Sequence, residues 1–306
     1  MARILTLTLN PALDLTLRLP SLQPGVINRC DELRSHAAGK GLNVAQVLAD
    51  LGHSLSVSGF LGRANAAPFE RLMQARGFHD LFVRVPGETR SNIKLAEADG
   101  RITDLNGPGP QVEAEHLQRL EEELQPLLVE HDAVVVAGSL PRGVTTQWFA
   151  SLLRRIKASG IPLVVDSSGA ALQAALDVVP WLIKPNEEEL REACGNDLPA
   201  AITRLRGQGI EHVLLSRGAD GVEWHGPGIA LRAVPPRVEV ASTVGAGDSL
   251  LAASLHGLLQ GWPAERTLRL ATAVAAQAVT QIGFGIHDRE QLARFEAAVQ
   301  LHRPEQ

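Results

Sequence analysis

Cysteine is almost absent from this 306-residue chain: Cys30 and Cys194 are the only two, and neither sits in a C-x-x-C pair. Two lone thiols argue against a disulfide scaffold and against a Cys-type zinc site. Long apolar runs are missing too. No stretch approaches the roughly 18 residues that a spanning helix needs. The opening Met-Ala-Arg-Ile-Leu-Thr-Leu-Thr-Leu-Asn lacks the apolar length and small-residue cleavage site of a signal peptide. A cytoplasmic protein with no membrane partner is expected. Charge of one sign is not concentrated anywhere: the net charge is −5 and there is no basic block, which argues against a nucleic-acid partner. Any bound anion must be held by a few local cations or by backbone N–H groups.

What is present is ample apolar material. Apolar residues make up 45% of the chain and charged ones 21%, enough for a substantial core in one domain spanning 1–306. Strand-length runs alternate with helical patterns. Ile4 to Asn10 reads as a strand, and Leu42 to Leu51 as a helix stopped by Gly52. A strand near Leu55 to Phe60 and a helix from Pro68 to Arg76, closed by Gly77, follow. Ala133 to Ala137 is a continuous Val-rich run, the pattern of a strand covered on both faces. Thr146 to Ser159 reads as a helix and Ile161 to Asp166 as a strand. Trp181 to Lys184 and His212 to Ser216 continue the strands, with helices around Glu189 and Leu205. Three helices, Gly247 to Leu259, Ala264 to Thr280 and Arg289 to Val299, complete the chain. Such alternation implies an α/β domain with a mostly parallel sheet. Two stretches depart from it. Leu13 to Leu19 alternates leucines with Asp14, Thr16 and Arg18. Arg90 to Ala98 and Arg101 to Leu105 flank Asp99-Gly100, a hairpin signal. Together with Cys30 to Ala37 they predict a small antiparallel β lid, built from segments near 12–37 and 89–106.

Thr243-Val-Gly-Ala-Gly-Asp-Ser249 carries the sharpest chemical signal. Glycines before an apolar helix let free N–H groups approach an anion, and the helix dipole favours negative charge there. Gly245, Ala246 and Gly247 can cradle a transferring phosphoryl group, with Asp248 placed to take a proton from an attacking hydroxyl. Taken alone, the Asp is equally explained by the dipole. Other phosphate motifs are excluded: Gly39-Lys40-Gly41 lacks the Ser or Thr of a P-loop, and Gly245-x-Gly247 lacks the third glycine of a dinucleotide fingerprint.

Three further sets accompany it. His36-Ala-Ala-Gly-Lys-Gly-Leu-Asn43 offers Gly39 and Gly41 for close ligand approach, Lys40 as a cation and Asn43 as an amide for sugar hydroxyls. On a strand Arg90, Asn92 and Lys94 share one face, as a phosphorylated polyol requires, and Asp14 lies on the polar face of its own strand. Gly138-Ser139, Lys184-Pro-Asn186-Glu-Glu-Glu189 and Ser216-Arg-Gly218 each follow a strand, where ligands gather in open parallel sheets.

In order along almost the whole chain, these motifs resemble the ribokinase-like sugar kinases of the phosphofructokinase-B branch. They are Leu9-Asn-Pro-Ala-Leu-Asp14, Gly39-Lys-Gly-Leu-Asn43, Gly138-Ser-Leu-Pro141, Lys184-Pro-Asn-Glu-Glu-Glu189 and Gly245-Ala-Gly-Asp248. Arg90-Ser-Asn-Ile-Lys94, Ser242 to Ser249 and Leu268-Arg-Leu-Ala-Thr-Ala-Val-Ala275 bring the likeness nearest to bacterial members that phosphorylate fructose 1-phosphate. The resemblance implies a nine-stranded type of α/β sandwich with a β lid, often dimerising through the lid. It implies transfer from ATP to fructose 1-phosphate, with Asp248 as base and Gly245–Gly247 as anion hole. Asp14, Gly39, Lys40, Asn43, Arg90, Asn92, Lys94 and Ser139 would hold the sugar phosphate. Lys184, Asn186, Ser216 and Gly218 would line the ATP site, and Glu189 would help position Mg²⁺. Relatives often carry Asp-Thr-Thr before Gly-Ala-Gly-Asp where this chain has Ala241-Ser-Thr243-Val244, which leaves a monovalent-cation requirement open. Tagatose 6-phosphate and fructose 6-phosphate remain alternative substrates, and a sugar-phosphate sensor on a kinase scaffold remains the non-enzymatic reading.

Overall fold

The computed structural model describes residues 1–303. Its first strand, β1 (Arg3–Thr8), runs straight into the lid strand β2 (Ala12–Leu19), and β3 (Glu32–Ala38) returns to start α1 (Lys40–Asp50). Next come β4 (Ser54–Gly62), α2 (Ala67–Arg76), β5 (His79–Val85), and the hairpin β6 (Arg90–Glu97) and β7 (Ile102–Asn106). The middle third alternates α3 (Ala114–Leu124), β8 (Ala133–Ala137), α4 (Thr146–Ala158), β9 (Leu163–Asp166), α5 (Gly169–Leu176) and β10 (Leu182–Ile183). Two helices, α6 (Glu187–Cys194) and α7 (Leu198–Gly207), precede β11 (His212–Ser216), β12 (Val222–Gly226) and β13 (Ile229–Val234). The chain ends with α8 (Ala246–Leu259), α9 (Ala264–Val279), α10 (Arg289–Ala298) and β14 (Gln300–His302).

The main sheet has ten strands in the order β14-β13-β12-β11-β10-β9-β8-β1-β4-β5. From β11 to β5 all neighbours are parallel, whereas β12, β13 and β14 add an antiparallel edge. The resemblance implied a nine-stranded type; the short β14, paired to β13, makes ten. In β8, Ala133, Val135 and Ala137 face one core, while Val134 and Val136 face the other. That is why the run shows no alternation. Helices α1, α2, α8, α9 and α10 pack on the first face, and α3 to α7 on the second.

The second sheet, β3-β2-β6-β7, is the expected lid. Both outer pairings are antiparallel, but the central pair β2–β6 runs parallel, with Asp14 opposite Asn92. Some 70 residues separate these two strands, so no hairpin turn dictates their direction. From β1 the chain proceeds to β4 and β5 on one side, while β8, β9 and β10 fill the other. The order therefore reverses between β1 and β8, and in such sheets ligands bind beyond the carboxyl ends at that reversal.

Candidate active site

At the carboxyl end of the sheet, α8 begins with Gly245 as its N-cap in the left-handed conformation, φ 84°, and with no side-chain cap. A Cβ there would lie 2.8 Å from the Phe284 ring, so both backbone and space demand glycine. The first N–H groups of α8 are left for a ligand, at the positive end of the helix dipole. The helix is buried along nearly its whole length by Leu250, Leu251, Ala252, Ala253 and Leu255. Each such leucine contributes about 1.5–3 kcal/mol on burial, which holds its start rigidly in place.

Asp248 lies in the first turn of α8 and is buried. Asn43, in the first turns of α1, donates a 2.7 Å hydrogen bond from Nδ2 to Asp248 Oδ2. Burial, and then the nearby Asp166 charge, push the Asp248 carboxyl up to about 6, against the pull of Lys40, the Asn43 bond and Lys184. Such a value suits a group that must be a carboxylate at neutral pH yet accept a proton readily. Asn43 was expected on the sugar; its amide N–H is instead committed to this carboxylate, since packing of α1 on α8 brings the two together.

Asp166, at the end of β9, was not singled out from the sequence. Its fully buried carboxylate takes a 3.1 Å hydrogen bond from Lys40 Nζ, and Lys184 Nζ stands 3.2 Å from its other oxygen as an ion pair. Burial alone would raise this carboxyl, but the two ammoniums outweigh it and hold it below the usual range. Burial works against the Lys40 charge, yet Asp166, Asp248 and Glu189 together raise it above the ordinary lysine range. A Cβ on Gly247 would come within 3.2 Å of Lys184 Nζ, so this lysine sits against the start of α8. Two ammoniums and a row of N–H groups thus converge beside the buried Asp248 carboxylate. The available signal for Asp166 was its place at the carboxyl end of a parallel strand.

Gly39 and Gly41 answer a different need from close ligand approach. A Cβ on either would fall within 2.6 Å of the Thr8 side chain, so these glycines let the start of α1 pack on the end of β1. Asn10, also missed, donates from Nδ2 to Ser139 Oγ at 3.2 Å and bridges the ends of β1 and β8. Its Oδ1 is buried without a partner.

On the lid, Asn92 donates to Asp14 Oδ1 at 3.0 Å. Desolvation raises the Asp14 carboxyl, moderated by the Asn92 bond, then Arg90 and Lys94. Asp14, Arg90, Asn92 and Lys94 therefore share one face, as their spacing predicted. Arg90 bonds the Asn10 carbonyl at 3.2 Å, and Lys94 lies 3.6 Å from Asp104 on β7. Asn186 and Glu189 form a reciprocal capping box at the start of α6, each side chain accepting from the other's backbone N–H at 2.8 Å. Both expected ligand residues thus carry a local structural bond, and one Glu189 oxygen stays free. Ser216 bridges to Asn186, and Gly218 opens the exposed turn after β11. Among the described residues there is no group of three or more metal-ligating side chains, and no helix long and apolar enough to cross a membrane.

A buried carboxylate at an uncapped helix start, flanked by two lysines near the sheet's reversal point, is an arrangement that suits phosphoryl transfer. Comparison with known proteins narrows this. The model of the pfkB family of carbohydrate kinases matches residues 7–290. Two proteins named 1-phosphofructokinase, from Vibrio cholerae and Escherichia coli, are each 44% identical over 305 residues. The match covers 98% of this chain and 96% and 98% of theirs. The crystal structure of E. coli phosphofructokinase-2 in complex with potassium superposes with a TM-score of 0.88 at 29% identity, over 97% of this chain and 99% of that one. The chain belongs to the pfkB family of carbohydrate kinases.

Proposed function

We propose that this kinase transfers the γ-phosphoryl group of ATP to fructose 1-phosphate, giving fructose 1,6-bisphosphate. The observation that carries this reading is the Asp248 carboxylate, buried at the uncapped start of α8 and braced by Asn43. The name shared by relatives at 44% identity supports the acceptor. Asp248 takes the proton of the attacking hydroxyl, and the N–H groups of Gly245, Ala246 and Gly247 receive the charge that grows on the phosphoryl oxygens. Asp14, Asn92, Arg90 and Lys94 hold the acceptor from the lid, with Asn10 and Ser139 at the mouth of the sheet. Asn186, Ser216 and Gly218 line the nucleotide side. Lys40 and Lys184, held by Asp166, fit a polyphosphate. Mg²⁺, when bound, would neutralise charge on the phosphates, and the free oxygen of Glu189 suits a hard cation.

The lid leaves Leu33, Ile102 and Leu105 at least half exposed. Such apolar surface supports a homodimer formed through this sheet. Absence of a membrane-spanning helix among the described residues is consistent with a cytoplasmic location. An ADP-release assay with Mg·ATP and fructose 1-phosphate, fructose 6-phosphate, tagatose 6-phosphate and free fructose tests the substrate. The highest kcat/KM is expected with fructose 1-phosphate. A preference for a 6-phosphate overturns the acceptor, and silence with all four overturns the catalytic reading.

A further inference from the structure

A second polar cleft lies at the opposite end of the sheet, away from every residue assigned above. It occupies about 340 Å³ at the amino-terminal ends of β1, β4 and β5, and its wall contains Arg3, Arg76, His53, His79 and His131 but no carboxylate. That volume is in the range of small-ligand sites. The acids nearby lie outside the lining and are already paired, two of them with the cleft's own arginines. Glu130 pairs with the Arg3 guanidinium at 3.0 Å, and Asp132 accepts the Arg3 backbone N–H at 2.7 Å. Asp50 binds Arg76 at 2.8 Å and the Ile286 N–H at 2.7 Å, and Asp80 is paired with Arg84. Arg76 Nε is buried with no partner at all, a donor that a buried site rarely leaves unused.

The histidines are arranged so that two are structural and one is available. His131 is bonded at both nitrogens, to the Leu127 carbonyl at 2.7 Å and to Ser56 Oγ at 2.9 Å. His53 accepts the Ala2 N–H on Nδ1 at 3.1 Å, so its Nε2 carries the proton and donates to His256 Nδ1 at 2.8 Å. His79 is exposed at the mouth. Two guanidiniums that keep donors beyond their ion pairs, and an accessible imidazole, face a lining free of carboxylates. Guanidinium groups match tetrahedral oxyanions better than any neutral ligand.

We propose that this cleft is a binding site for a small phosphate-bearing anion, separate from the active site. Its back wall, His53, is hydrogen-bonded to His256 on α8, the helix that carries Asp248 in its first turn, so a ligand there lies one hydrogen bond from that helix.

The test follows the ring signals of ¹⁵N-histidine-labelled protein by NMR during titration with inorganic phosphate, and separately glycerol 3-phosphate, at constant ionic strength. His79, His131 and His53 are expected to shift along one saturating curve. Arg3→Gln, a surface change, is expected to weaken that curve by about tenfold, the loss of one charge-assisted contact. His79→Asn gives a second variant, read at His131 and His53. Saturation at lower concentration with the ester identifies an organic phosphate as the ligand; equal curves identify free phosphate. Linear drift without saturation, or a curve that both variants leave unchanged, overturns the proposal.

Discussion

Helices α1 and α8 are tied together near both ends by one buried side-chain hydrogen bond, and the two ties have opposite electrical characters. At the carboxyl end of the sheet, Asn43 holds Asp248 among Lys40, Lys184 and Asp166. Eight residues along α8, about 12 Å away, His256 meets His53 just past α1. The first tie works with buried charge. The second excludes it, because His53 Nδ1 and His256 Nδ1 each already accept an N–H, and a proton on either would break that bond. Burial lowers both histidines, His256 to about 4. One helix pair thus carries a catalytic end, where buried charge is compensated by ion pairs, and a structural end, where it is avoided.

The sharpest way to separate the ends is Asp248→Asn. Its kcat is expected to fall by about 10²–10⁴, with KM for both substrates changed only a few-fold. Wild-type kcat should rise with pH through about 6 as Asp248 ionises, a limb the variant should lose. Steady-state kinetics across pH 5–8 checks both, and near-normal turnover in the variant would remove Asp248 from the mechanism. Asp166→Asn comes next. It leaves the buried Lys184 ammonium, and the partly exposed Lys40 one, without a counter-charge, which should cost about 3 kcal/mol of stability in urea unfolding, along with activity. A stable, active variant would mean that the lysines need no partner.

The two ends also titrate oppositely. Asp248 has a folded value raised from 3.8 to about 6, so its contribution to stability is present below about pH 4 and lost as pH rises through 6. His53 and His256 have lowered values, so theirs is present above about pH 6.5 and lost as pH falls below it, for His256 through about 4. His256→Gln should flatten the acid limb by about 1–2 kcal/mol; an unchanged limb would assign it to other groups. The smallest effect concerns the lid. Lys94→Ala should raise KM for the sugar phosphate by about tenfold or less, given the half-exposed site, while KM for ATP stays put. An unaltered sugar-phosphate KM would make Lys94 only the partner of Asp104.

Most of the fold was legible in the sequence because its signals are local. The Val-rich run Ala133–Ala137 and the strand His212–Ser216 appear with their expected bounds. Gly77 closes α2 in the left-handed conformation as its position suggested. The antiparallel edge β12–β13 was missed, although Val222 and Trp224 alternate with Glu223 and His225 as in a one-faced strand. Within the site, the uncapped helix start and the polar lid face were readable from spacing alone. The meaning of Gly39 and Gly41 was not, because what they accommodate is Thr8, more than thirty residues earlier in the chain.

Alternation, capping and glycine placement by themselves determined that this chain forms a parallel α/β sheet with a lid and starts a helix at Gly-Ala-Gly-Asp. These depend on neighbours within a few residues, whose backbone preferences are set by covalent geometry. Only the tertiary structure decided that Asp166 is the shared counter-ion of Lys40 and Lys184, that Asn43 serves Asp248, and that His53 finds His256. Those pairings span between 18 and 205 residues, and they exist because strand order and helix packing, not sequence spacing, bring the ends of distant elements within hydrogen-bond reach.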